Sequence, residues 1–223
     1  MDGGTLPAAG TVALLLADAR LPSGGHAHSS GLEPALQGGM PAAQAAGFLL
    51  ARARTTGLVD AATAVAARAA VLEGGPLGDV ERAWAARTPS AAMRDASREL
   101  GRGLLRLAKR LWPESAALAA LVTPPRPVVL GAIAAATGLP AEELVRLSVY
   151  DDLASAVAAL LKLEPRDPAD GALLVLAACA SIEARVPEIA AVRSPHQIPA
   201  LSAPQAEAWA EQHAIAPRRL FRG

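Results

Sequence analysis

Apolar positions recur every three or four residues through most of this 223-residue chain, the period of a helix that buries one face. The pattern predicts helices over 11–19, 30–37, 41–56, 58–73, 78–87, 90–112, 127–137, 141–163, 169–185 and 203–213. Glycine and proline punctuate it at Pro22 to Gly25, Gly38-Gly39, Gly74 to Pro76, Pro113, Pro124-Pro125, Gly138 to Pro140 and Pro165 to Pro168, where a helix must end or turn. Period-two runs of β-branched and aromatic residues are missing, so no sheet is predicted. No fixed-period repeat or low-complexity linker divides the chain. The expectation is an all-α fold, residues 1–223 forming one domain of about eight to ten bundled helices.

Composition sharpens this picture. The chain is 52% hydrophobic but only 3% aromatic, with Ala and Leu supplying most of the apolar surface, which suits helices that approach closely. A chain of this length buries roughly 70–75% of the surface its unfolded form exposes. The 21 basic and 21 acidic side chains cancel, so no overall field draws it to nucleic acid or anionic lipid. Cys179 is the only cysteine; it allows no internal disulfide or Cys-based zinc site and fits a reducing, cytoplasmic setting. The best apolar stretch, "PVVLGAIAAATGLPA", is broken by Gly, Thr and Pro and falls short of a membrane span. "TVALLLADA" ends like a leader cleavage site, but no Lys or Arg precedes it and Asp2 is acidic, so export is not expected.

Enzyme signatures are absent: no phosphate loop, dinucleotide fingerprint, H-E-x-x-H or G-x-S-x-G occurs. The segment "RLPSGGHAHSSGLE", residues 20–33, holds the one apparent metal signal, His26-x-His28. Two histidines fall short of the three or four ligands that zinc requires. A metal-binding protein or metal-dependent hydrolase using His26, His28 and a carboxylate such as Glu33 is nevertheless the alternative reading. The structural reading is a shaped connector: Pro22 fixes a backbone angle, Gly24 and Gly25 admit unusual ones, and Ser30-x-x-Glu33 has the spacing of a capping box.

Three further features stand out. Arg94, Arg98, Arg102, Arg106 and Arg110 recur every four residues and make a slanting basic ridge, with Leu100, Leu104, Leu107 and Leu111 expected to face the bundle. The ridge lacks the aromatic residues that stack on bases, so nucleic acid is not an expected partner. Arg146 and Tyr150 lie four apart and are expected to share a face with Leu153 and Val157; Tyr and Arg are favoured anchors of protein contacts. The chain closes on "HAIAPRRLFRG", where Leu220 and Phe221 lie among arginines, either docked on the domain or waiting for a partner.

Taken together, "LADARLPSGGHAHSSGLE", "ASRELGRGLLRLAKRLWP", "PVVLGAIAAATGLPAEELVRLSVY" and the ending in which His213 precedes Arg219-Leu220-Phe221-Arg222 resemble the urease accessory protein UreF family over nearly the whole chain. Two departures are visible: His26 stands where the family commonly has Phe, and Arg166, Asp167 and Pro168 replace a Leu-Gly-Gln. The resemblance implies a non-enzymatic, dimeric helical scaffold without a cofactor of its own. It would join UreD (UreH) and the GTPase UreG to load nickel into the urease apoprotein. It also implies partner-binding roles for Pro22, Gly24, Gly25, His28, Ser30, Gly31 and Glu33 in the opening turn. His213, Arg219, Leu220 and Phe221 would serve likewise in a tail at about 214–223 that orders on UreD. Arg146 and Tyr150 would lie at the homodimer or GTPase-facing surface.

Overall fold

The computed structural model describes residues 7–217 and 220–221, apart from the His26 side chain. Among these residues twelve α-helical segments follow one another: α1 (Ala9–Ala17), α2 (Leu32–Gln37), α3 (Ala45–Arg54), α4 (Thr56–Glu73), α5 (Leu77–Ala86), α6 (Ala91–Leu111), α7 (Ala116–Ala120), α8 (Arg126–Thr137), α9 (Ala141–Leu163), α10 (Pro168–Ala180), α11 (Val186–Ala190) and α12 (Pro204–Ala214). No strand occurs among them, so the protein is all-α.

The centre is the pairing of α4 with α8 and α9. Small residues bring the first two into backbone contact: a Cβ at Gly131 would stand 2.3 Å from the Ala64 carbonyl oxygen and 2.6 Å from Ala67 Cβ. Ala61, Ala62, Ala64, Ala66 and Ala67 of α4 are fully buried, so this helix is apolar nearly all round, as a central helix must be. The continuous helical stretch Ala42–Glu73 is long and apolar enough to cross a membrane by composition, but 61% of its apolar window is buried inside the fold. Packing within the bundle accounts for that hydropathy. Gly74 and Gly138, both at φ 70°, end α4 and α8 in the left-handed conformation. Around the centre, α1, α3, α10 and α11 pack on α9, α6 on α8, and α12 on both α2 and α6.

Several sequence expectations change here. The pattern over 169–185 is not one helix: α10 stops at Ala180, a 3-10 turn covers Glu183–Arg185, and α11 follows. Residues Ala116–Ala120 form an unanticipated short helix, with the Ser115 hydroxyl accepting from the Leu118 N–H. On α6 the buried face is Gly101, Leu104, Leu105 and Ala108, whereas Leu111 is 44% exposed. Glycine decides that face: a Cβ at Gly101 would stand 2.1 Å from the Pro124 carbonyl oxygen, so α6 meets the chain before α8 through its backbone. On α9, Leu153 and Val157 are buried but Tyr150 is 41% exposed, because positions four apart drift around the helix. Arg146 and Tyr150 therefore face outward together.

Candidate partner interface

The segment preceding α2 is folded tightly. Asp18 takes the Arg20 guanidinium at 2.8 and 3.0 Å, which holds the exposed carboxyl at about 2. Pro22 is exposed, Gly24 sits at φ 90°, and a 3-10 turn spans Gly25–Ala27. This loop rests on α6 through Gly103, where a Cβ would lie 1.9 Å from the Ser23 carbonyl oxygen. His28 is buried, its Nε2 4.0 Å from Glu99 Oε2 on α6. Ser30 at φ 48° and Gly31 at φ 80° then turn the chain into α2.

The expected capping box is not formed. The Glu33 N–H donates to the Ser29 hydroxyl at 3.3 Å, so Ser29, one residue earlier, does the capping that Ser30 was expected to do. The Glu33 carboxylate, 1% exposed, serves another purpose. Its Oε1 accepts from Gln37 Nε2 at 3.1 Å and from the Leu220 N–H at 2.7 Å. Its Oε2 meets His213 Nε2 at 3.1 Å and accepts the Phe221 N–H at 2.9 Å. The opening turn and the chain's end are thus one structure.

Of the predicted tail residues, Phe221 is buried in the domain's own core, with Lys162 Nζ 5.3 Å from its ring centroid. Leu220 faces outward at 66% exposure, and Arg219 lies outside the described residues. Glu33 has no acceptor position left for a metal shared with His28. Among the described residues no group of three or more His, Cys, Asp or Glu converges as metal ligands do.

A second outward face joins α9 to α10. Arg146 bridges Glu142 and Glu183, the latter through Nε at 2.8 Å, and Glu183 is held below its ordinary value by that hydrogen bond. Along α10 the exposed positions are Pro168, Ala169, Asp170, Ala172, Leu173, Leu176, Ala177 and Ala180, and after Asp170 they form an apolar stripe of helical period, with both leucines about two-thirds exposed. Cys179 beside it is half-buried, and burial pushes its thiol up. Sequence reading noticed Arg146 and Tyr150 but missed the stripe, because α10 is apolar on both sides and its pattern does not say which side is covered.

A third feature escaped the sequence altogether. A cavity of about 610 Å³ opens between α4, α6 and α12. On its wall the Arg52 guanidinium grips Asp152 at 2.6 and 2.8 Å. Trp84 Nε1 donates to Asp60 at 2.8 Å, and Arg126 pairs with Asp151. Burial, reinforced by the nearby Asp152 charge, pushes Asp60 up to about 6, against the pull of Trp84, Arg52 and Arg126. Arg98 and Arg102 of the basic ridge line the cavity mouth, engaged with Asp95 and Glu99. Arg94 instead caps the turn before α6 by donating to the Thr88 and Pro89 carbonyls. The ridge is therefore largely internally paired at its first three positions.

The UreF family profile matches residues 41–179. The chain belongs to the UreF family. It is 37% identical over 212 residues to the urease accessory protein UreF of Mycolicibacterium vanbaalenii, covering 93% of this chain and 96% of that protein. It is 38% identical over 210 residues to that of Mycobacterium marinum, with the same coverage. With that of Mycobacterium tuberculosis it shares 41% over 161 residues, 71% of this chain and 75% of that one. The stretch matching the UreF profile contains Arg146, Tyr150 and the α10 stripe as far as Cys179, while the opening turn and the tail lie outside it.

Proposed function

We propose that this UreF protein is a non-enzymatic, cytoplasmic scaffold that works as a homodimer. It brings UreD (UreH) and the GTPase UreG together with the urease apoprotein, so that nickel is inserted into the urease active site. The observation that carries the reading is the alignment, nearly end to end, with proteins named as urease accessory proteins. The geometry supports it through what the surface offers. The α10 stripe, with Arg146 and Tyr150 at its edge, has the aliphatic centre and Arg/Tyr rim of a protein contact and is the dimerisation face. The composite of opening turn and tail, presenting Leu220 and the strongly exposed Ile215, is the face offered to UreD. Nickel is cargo in this scheme, and the phosphate chemistry belongs to UreG, because this chain has no phosphate loop.

The test is co-purification from cells carrying the urease genes, followed by urease activation with nickel. The wild-type chain is expected to bring down UreD and UreG and to restore urease activity. The double variant Ile215→Ala, Leu220→Ala is expected to lose UreD and most of that activity while keeping its helical circular dichroism. Full activation by the double variant would remove the tail from the UreD interface, and activation without this chain at all would remove the scaffold.

A further inference from the structure

The cavity of about 610 Å³ between α4, α6 and α12 has the size of a small-molecule site, and its charges are not all matched. Arg52 is held by Asp152, and Arg126 by Asp151. At the mouth Arg98 and Arg102 stand 3.6 and 3.5 Å from Asp95 and Glu99. Arg87 spends its guanidinium on the Ile198 and Ala83 carbonyls, at the carbonyl end of α5, where the helix dipole offsets a positive charge. Among the described residues, two lining carboxylates are left in no ion pair, Asp60 and Glu207. The charge that would complete this wall is positive.

Hydrogen-bonding capacity is open at the same place. Thr56 and Asp60 lie four apart on α4 and both line the cavity, so they share a face. The Thr56 hydroxyl is buried and has no hydrogen-bond partner among the described residues. On Asp60 the Trp84 N–H fills one position, and a carboxylate has about four. Ser148 of α9, 4% exposed, brings a second hydroxyl to the lining. A carboxylate and two hydroxyls suit a group that carries positive charge and several donors: an ammonium has three N–H and no acceptor. They fall short of the six or more oxygens that a hard divalent cation gathers. Met93, Ala96 and Ala210 supply apolar wall beside them.

We propose that this cavity is a binding site for a small aliphatic amine in its ammonium form, the nitrogen donating to Asp60 and Thr56 and the alkyl chain lying against Met93, Ala96 and Ala210. Binding requires the ionised Asp60 carboxylate. Burial and the Asp152 charge of α9 hold the Asp60 proton up to about 6, against Trp84 of α5, Arg52 of α3 and Arg126 of α8. Arg98 and Glu99 of α6, Glu207 of α12 and His28 of the opening turn face the same space. Affinity for the amine therefore falls as pH drops through about 6. The site does not depend on the urease reading and is tested without any partner.

The experiment is a proton–nitrogen correlation NMR titration of the full-length chain with n-butylammonium chloride at constant ionic strength. It is read at the Trp84 indole N–H, which donates to Asp60. Wild type is expected to shift saturably at pH 7, with half-saturation at roughly millimolar amine, and to bind about tenfold more weakly at pH 5. Tetramethylammonium, which has the charge but no N–H, is expected to give no saturable shift. Asp60→Asn is expected to lose the response. Thr56→Val, which leaves the bond between Trp84 and Asp60 in place, is expected to weaken binding roughly three- to tenfold. If Asp60→Asn fails to fold, Thr56→Val decides. The proposal is overturned by a wild type that does not saturate, by an equal response to tetramethylammonium, by binding that tightens toward pH 5, or by wild-type affinity in either variant.

Discussion

Asp60 is the residue whose chemistry departs most plainly from its type. It sits on α4, and burial, aided by the Asp152 charge and opposed by the Trp84 N–H it accepts, holds its proton up to about 6. The unfolded chain releases that proton near 3.8. Between about pH 4 and about pH 6 the folded state therefore binds more protons than the unfolded one, and stability falls as pH rises through that window. For this group the loss amounts to about 3 kcal/mol and stays constant above it. Asp60→Asn keeps an acceptor for Trp84 and removes the titration. Urea unfolding across pH 4–8 is expected to show the variant gaining on wild type by about 2–3 kcal/mol up to pH 6, with no further change. A constant difference between the two curves would mean that Asp60 titrates as an ordinary carboxylate. At the residue scale the sequence is a poor guide to such groups, since Asp60, Arg52, Arg126 and Asp152 are scattered over a hundred positions and only the packing gathers them. The Ser30-x-x-Glu33 spacing was legible and still misled: Ser29 caps α2 because Ser30 and Gly31 both turn left-handed.

At the scale of elements, what could be read from the chain was read where breakers and caps agree with periodicity. Helix α9 occupies the predicted 141–163, opening after Pro140 with two glutamates in its first turn and closing with Lys162 in its last, as the helix dipole favours. The prediction for α10 overran the helix because neither Gly nor Pro marks the break after Ala180. There the Ser181 hydroxyl donates to the Ala178 carbonyl at 2.7 Å, and Glu183 is drawn to Arg146. The same helix carries the stripe proposed above as the dimerisation face. Its leucines touch little within the chain, so a charge placed on them leaves the monomer's core intact. Wild type is expected to sediment as a dimer and Leu173→Arg with Leu176→Arg as a monomer at the same concentration, with melting temperatures within about 2 °C apart from any stabilisation conferred by dimerisation; a monomeric wild type removes the proposed dimer. A double variant that remains dimeric places the interface elsewhere.

For the whole molecule, the layers are fastened by a few long-range polar links laid over an alanine-rich core. The Arg52–Asp152 pair joins α3 to α9 across 100 positions, and burial opposes the Arg52 charge without overcoming the adjacent Asp152, so the guanidinium is held above its ordinary value. Breaking such a pair from one side strands the other charge. Arg52→Ala is expected to lower unfolding stability by about 3 kcal/mol, read from denaturant titration, and Arg52→Ala with Asp152→Ala to recover part of that loss. An unaffected Arg52→Ala would mean that water already compensates Asp152. The helical class and single bundle followed from periodicity and composition. The faces through which the bundle meets other chains did not, because exposure is a property of packing.

The bond between Glu33 and residues 187 and 188 positions later also sets a timetable. A growing polypeptide leaves the ribosome at roughly 5–20 residues per second, so α2 emerges some ten to forty seconds before the amides that hydrogen-bond its Glu33 carboxylate exist. Until then that carboxylate has to stay hydrated, and the region around α2 cannot settle into its final packing. Newly made chains therefore keep this corner open, its acid in water, until residues 220 and 221 have been made.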